Sequence, residues 1–117
     1  MVTMVILISA CALPDDPHWA IGSWSTGTWS GVCLRPDGIV IERNPDGEII
    51  DVGRWTPVGD DAVVWTLVRT PLQETIITRV DGGFETCHNY GTGYVGPPKP
   101  VTRGHRQTEY ESYVFEF

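Results

Sequence analysis

Beyond residue 20, short runs of β-branched and aromatic residues alternate with Gly-, Pro- and Asp-rich turn signals. Pro36-Asp37-Gly38 and Pro45-Asp46-Gly47 each combine a proline, an aspartate that accepts local backbone hydrogen bonds and a glycine that tolerates positive φ. Each triplet leads into apolar β-branched residues. We therefore predict three consecutive antiparallel strands between Cys33 and Trp55.

The same alternation continues toward the C-terminus. Turn signals at 59–61 and 81–83 bracket the runs 62–69 and 74–80, and residues 108–117 form a final aromatic-rich run. No window repeats apolar residues at helical spacing. The pattern predicts an all-β fold, an antiparallel meander of about eight strands that forms a small up-and-down barrel or a sandwich. Residues 89–104 show no strand pattern and are predicted to form a long loop.

The first residues have a different character. Val2–Leu13 is an uncharged apolar run, too short to span a bilayer as a helix but matching the apolar region of a signal peptide. Ile8-Ser9-Ala10-Cys11 resembles a bacterial lipobox, and the resemblance implies a diacylglycerol on Cys11. This predicts a signal peptide over 1–10, an anchor site and tether over 11–20, and a single β-barrel domain over 21–117. The alternative is that Val2–Ile8 forms a first strand, because its β-branched content allows one and no basic residue precedes it.

Export determines how the other cysteines are interpreted. If Cys11 is acylated, Cys33 and Cys87 remain as an even pair, which predicts a disulfide in an oxidising compartment. Two buried free thiols are the alternative. The predicted location is periplasmic or outer-membrane, with the membrane contacted by the lipid anchor only.

Composition excludes some partners. The chain has 117 residues, enough for one core, and carries 8 Lys and Arg against 15 Asp and Glu, a formal charge of −7. This charge disfavours nucleic acid phosphates and anionic bilayer faces. An acidic surface of this kind suits either solubility or docking on a basic protein.

The residues Ile21-Gly22-Ser23-Trp24, followed by a meander and a basic C-terminal stretch, resemble the Gly-x-Trp start of lipocalins and the wider calycin group. The resemblance implies that Trp24 closes the barrel base and that Arg103 or Arg106 covers its indole. It also implies a small apolar or amphipathic ligand bound in the barrel mouth.

Candidate chemistry is sparse. The sequence contains no recognised catalytic motif, phosphate-binding glycine loop or paired Cys-x-x-Cys site, so we expect a non-enzymatic protein without a cofactor. His18, His88 and His105 show no metal-ligand spacing.

Aromatic residues provide the remaining candidates for binding. Trp24 and Trp29 lie among small residues, and Trp29 is the better candidate for an exposed indole that stacks on a sugar ring. Tyr90, Tyr94 and Lys99 give the 89–104 loop an amphipathic surface. We expect a small-ligand binding protein. The alternative is a protein-interaction module acting through this loop, such as a periplasmic enzyme inhibitor or a phage-borne exclusion lipoprotein. The oligomeric state stays open.

Overall fold

The computed structural model describes the backbone of residues 9–12, 18–25, 31–92, 95–103 and 109–112. Its strands, in chain order, are β1 (Ser9–Ala12), β2 (Gly22–Ser25), β3 (Gly31–Leu34), β4 (Ile39–Arg43), β5 (Ile49–Val58), β6 (Ala62–Leu67), β7 (Thr70–Val80), β8 (Gly83–Asn89), β9 (Lys99–Pro100), β10 (Thr102–Arg103) and β11 (Glu109–Ser112). The predicted all-β fold is confirmed. In this part of the chain there is no helix long and apolar enough to cross a bilayer.

The strands from β2 to β8 form one meander in which each strand pairs antiparallel with the next. The segment 99–103 then pairs with β8 through β9 and with β2 through β10, so it joins both edges of the meander. With β9 and β10 counted as one bent strand, the result is an eight-stranded antiparallel sheet curled into a half-barrel, which is compatible with a calycin-like fold.

Local turn chemistry explains the hairpins on either side of β4. Gly38 and Gly47 have φ of 86° and 85°, the left-handed conformation that favours glycine. The Asp37 carboxylate accepts a hydrogen bond from the Ile39 backbone N–H at 3.2 Å. The three strands predicted between Cys33 and Trp55 are confirmed as β3, β4 and β5.

The prediction of an unpaired loop over 89–104 is wrong for its C-terminal part. Lys99 and Pro100 lie opposite Thr86 and Glu85 in the β8 ladder. Val101 donates its backbone N–H to the Phe84 carbonyl at 3.1 Å and is buried. Proline conceals this pairing from sequence patterns, because it lacks an N–H but its carbonyl still accepts, so it is tolerated at a sheet edge.

The concave face of the sheet holds the main core. Alternate residues along each strand point to this face, as the two-residue period of a strand requires. The buried members include Trp24, Val32, Leu34, Val40, Val63, Trp65, Ile77 and Val101. Between them remains a space of only about 10 Å³, so side chains largely fill this part of the half-barrel.

The two chain ends meet in a separate ladder. β1 pairs antiparallel with β11, with Cys11 opposite Tyr110, and the two strands form a two-stranded sheet. Residues 1–8, which include the alternative strand Val2–Ile8, lie outside the described residues, and so do Trp29, Tyr94, His105 and Arg106. Cleavage before Cys11 and its acylation stay predictions.

The predicted disulfide between Cys33 and Cys87 is wrong. Cys33 lies on β3 and Cys87 on β8, and four strands of the sheet separate them. No disulfide joins the two sulfurs. The inward neighbours Leu34 and Thr86 are buried, so strand alternation directs both cysteines to the convex face, where the sheet keeps them apart.

Candidate functional site

One end of the half-barrel carries a group of polar side chains. In an antiparallel meander the C-terminal ends of β4, β6 and β8 lie beside the N-terminal ends of β5 and β7. Glu42, Asp51 and His88 lie near those ends, Thr75 of β7 lies opposite His88, and the apolar Leu67 ends β6 beside them. The topology therefore brings together residues that are up to 46 positions apart in the sequence.

These side chains surround a pocket of about 300 Å³ that opens to solvent, which we call the mouth pocket. Its lining residues are Glu42, Asp51, Trp65, Leu67, Arg69, Thr70, Gln73, Thr75 and His88. Trp65 and Leu67 are its apolar members, whereas the other seven offer hydrogen-bonding or charged groups. Such a mixture suits a ligand that has both a polar and an apolar part.

The acidic wall of the mouth pocket is built by Glu42 and Asp51, which lie directly opposite each other on β4 and β5. Asp51 is buried, and its carboxylate accepts hydrogen bonds from the backbone N–H groups of Val52 at 2.9 Å and Arg69 at 3.3 Å. These bonds fix Asp51 and the turn after β6 together. Burial raises the pKa of Glu42, the negative charge of Asp51 raises it further, and Arg69 partly opposes the shift.

The opposite wall is formed by β7 and β8. The Thr75 hydroxyl oxygen lies 3.1 Å from Nδ1 of His88, so this hydrogen bond orients the imidazole. Burial lowers the pKa of His88, and the positive charge of Lys99 lowers it further. His88 is therefore favoured in its neutral form, which can donate or accept a hydrogen bond at neutral pH.

The other end of the half-barrel is closed by aromatic rings. Trp24 meets Phe84 edge to face, with ring centroids 4.7 Å apart, and its indole N–H donates to the Ala20 carbonyl at 2.8 Å. Trp19 stacks on Phe84, and the Arg79 guanidinium lies 5.0 Å from the Trp19 ring centroid.

The chain matches no protein-family model, no curated protein and no solved structure. The site is therefore interpreted from its geometry.

Beside the mouth pocket, the surface carries exposed apolar side chains. Leu72, Tyr90 and Val95 are 78%, 42% and 54% exposed. Gly91 lies against Leu72, Gly96 lies against the Tyr90 ring, and Val95 bridges to Asn89. We call these three apolar residues the loop patch.

The predicted site residues fall in different places. Trp24 is buried at the closed end, beside Phe84. Tyr90 belongs to the loop patch, and Lys99 lies near His88. The strand register sets Arg103 opposite Trp24 in the β10–β2 ladder. Among the described side chains, the guanidinium of Arg79 lies over the ring of Trp19.

The barrel mouth was predicted as the place of the ligand, but none of the residues that line the mouth pocket was predicted to bind it, although strand alternation carries a signal for them. Glu42 follows Val40 by two residues, and His88 follows Thr86 by two, so each continues an inward-facing row beyond the core. Polar residues at inward positions near strand ends indicate a polar barrel mouth. In the described part of the chain, no three His, Cys, Asp or Glu side chains are grouped as a metal site requires.

Proposed function

We propose that this is an exported, lipid-anchored, non-enzymatic binding protein that takes a small amphipathic ligand in the mouth pocket. The observation that carries this proposal is the contrast between the two parts of the concave face. The deep part is filled and retains about 10 Å³, whereas the mouth opens over about 300 Å³.

The size and lining define the ligand class. At about 30 Å³ for a water-sized group, the mouth pocket holds about ten non-hydrogen atoms. Trp65 and Leu67 supply an apolar surface, and the polar side chains around them supply hydrogen bonds. A wholly apolar ligand would leave those polar groups desolvated and unpaired, which is costly. An amphipathic ligand avoids that penalty.

Binding in the mouth pocket is tested by titrating isotope-labelled protein with a panel of small amphipathic probes that carry cationic, anionic and neutral heads. We expect backbone amide resonances of Asp51, Leu67, Thr75 and His88 to shift with at least one probe. Resonances at the closed end, such as those of Ala20 and Phe84, provide the internal control. A panel that moves no mouth resonance would refute the proposal.

A second candidate function is contact with a protein partner through the 89–104 segment, which the exposed loop patch supports. A deletion is unsuitable as a test because Lys99 and Pro100 pair with β8. Substituting Leu72, Tyr90 and Val95 by Ser removes the apolar surface and leaves the ladder in place. Loss of a defined partner in co-purification would support this function, and unchanged recovery would count against it.

The export and anchor parts of the proposal rest on the N-terminal run and the lipobox-like residues that end at Cys11. A mature protein that began at Cys11 would keep only Cys11 and Ala12 of β1. The half-barrel from β2 to β10 does not depend on the first ten residues, because all its pairings lie within 22–103.

A further inference from the structure

The acidic wall of the mouth pocket contains a carboxylate, that of Glu42, to which no side chain in the described part of the chain donates a hydrogen bond. Glu42 is half-buried on β4, beside the fixed Asp51 carboxylate. Among the residues that the structure describes, none donates a hydrogen bond to the Glu42 carboxylate, and only the charge of Arg69 favours its ionised form. A half-buried carboxylate without a donor is energetically costly, and a ligand that supplies a donor removes that cost.

The charge of the whole lining points to the same kind of ligand. Glu42 and Asp51 contribute two negative charges, Arg69 contributes one positive charge, and His88 is favoured as neutral. Arg69 is exposed, so water screens its charge more than it screens that of the buried Asp51. The pocket is thus complementary to a cation rather than to an anion.

The apolar part of the ligand is specified by the floor of the mouth pocket, which Trp65 and Leu67 form. Trp65 is almost completely buried on β6, and Leu67 follows it on the same face, so both line the pocket beneath the polar groups. An indole edge and a leucine side chain accept an aliphatic or aromatic group. A small inorganic cation would leave this floor uncovered.

We infer that the mouth pocket binds a small amphipathic amine, whose ammonium group pairs with Glu42 and Asp51 while its apolar part lies against Trp65 and Leu67. This inference rests on the proposed function and specifies its ligand. The ammonium supplies up to three N–H donors, which is enough for the Glu42 carboxylate and for a neighbouring acceptor such as the Thr75 hydroxyl.

The test uses three probes that share one carbon skeleton and differ in the head group, namely 3-phenylpropylamine, 3-phenylpropan-1-ol and 3-phenylpropanoate. Isothermal titration at neutral pH measures the affinity of each probe for the full chain. We expect the amine to bind roughly tenfold to hundredfold tighter than the alcohol, since hydrogen bonds to charged groups contribute about 1.5–3 kcal/mol. The carboxylate probe should bind most weakly.

Two matched variants locate the ammonium. Glu42→Gln should reduce the affinity for the amine to that for the alcohol, while the affinity for the alcohol stays unchanged. Glu48→Gln, an exposed residue in the β4–β5 turn, removes the same charge outside the pocket and should leave all three affinities unchanged. Circular dichroism confirms that both variants are folded.

The outcomes separate this inference from the proposed function. If the alcohol or the carboxylate binds as tightly as the amine, or if Glu42→Gln retains the preference for the amine, the amine assignment is overturned and the mouth pocket stands as a binding site. If none of the three probes binds, both the assignment and the proposed site fail.

Discussion

Replacing Gly53 by Ala should severely destabilise the protein. Gly53 lies on β5 opposite Val40 and Leu67, where the backbone of the neighbouring strand β6 approaches it very closely. A Cβ at this position would overlap the Thr66 carbonyl oxygen and would lie 2.9 Å from the Leu67 Cα. Both contacts are with backbone, so no side-chain rotation relieves them, and β5 and β6 must separate by roughly 1 Å.

The cost follows from overpacking and from weakened ladder hydrogen bonds. Overpacking of a closely packed site costs about 1–3 kcal/mol, and each weakened backbone hydrogen bond adds about 1 kcal/mol. We expect a loss of about 3–4 kcal/mol in the free energy of unfolding, and a melting temperature lower by roughly 12–16 °C for a domain of this size. Ligand binding should also weaken, because Leu67 and Arg69 come soon after the displaced Thr66 in the chain and line the mouth pocket.

The assay is urea unfolding followed by tryptophan fluorescence, together with thermal melts followed by circular dichroism. Gly83→Ala is the matched control, since Gly83 also lies in a strand, has ordinary φ and meets nothing within 4 Å of an added Cβ. The control should lie within about 0.5 kcal/mol of the wild type or be slightly more stable. If Gly53→Ala melts at the same temperature as the control, the close approach of the β5 and β6 backbones at Gly53 is wrong.

Four further predictions test other parts of the account. Glu42→Gln should raise the free energy of unfolding at pH 7, because the folded-state pKa of Glu42 is raised above its unfolded value. This gain should shrink as the pH falls through the folded-state pKa toward 4.5. A variant less stable than the wild type at pH 7 would contradict this prediction. Dithiothreitol should leave the melting temperature unchanged, whereas a Cys33–Cys87 bridge would add roughly 4 kcal/mol and make the melt sensitive to reduction. Trp24→Phe should cost about 2–3 kcal/mol in urea unfolding, because the Ala20 carbonyl loses its buried donor; a loss below about 0.5 kcal/mol would refute that bond. Cys11→Ser should abolish metabolic labelling with a radioactive fatty acid in a bacterial host, and retained label would exclude Cys11 as the anchor.

The fold was largely predictable because its turns are local. The two Pro-Asp-Gly triplets specify their hairpins through residues that are adjacent in sequence, and Gly38 and Gly47 adopt the expected positive φ. Alternation within each run then sets which residues face the core. Neither inference needs contacts between distant parts of the chain.

The edge pairing of 99–103 was not predictable from local patterns. Its residues, Lys-Pro-Val-Thr-Arg, contain a proline and no alternation long enough to indicate a strand. They become paired because the curled sheet brings the edges formed by β2 and β8 close to this one segment. That is a property of the whole fold.

The barrel mouth was predicted as the ligand site, but its residues were missed for the same reason. The sequence directed attention to aromatic residues in the loops, such as Tyr90, because exposed rings are a common mode of recognition. The mouth pocket instead uses one to three residues from each of five strands, and only the antiparallel order brings Glu42 and His88 to the same end. Strand alternation shows that each of these residues faces inward, but only the pairing register of the strands shows that they lie close together.

The measurement that tests the central claim most directly is the position of a bound probe. Intermolecular nuclear Overhauser effects should be recorded with whichever of the three phenylpropyl probes binds most tightly. We expect contacts from the probe to the indole protons of Trp65 and to the side chains of Leu67 and Thr75, which line the mouth pocket. Contacts confined to Leu72, Tyr90 and Val95 would assign binding to the loop patch and contradict the account.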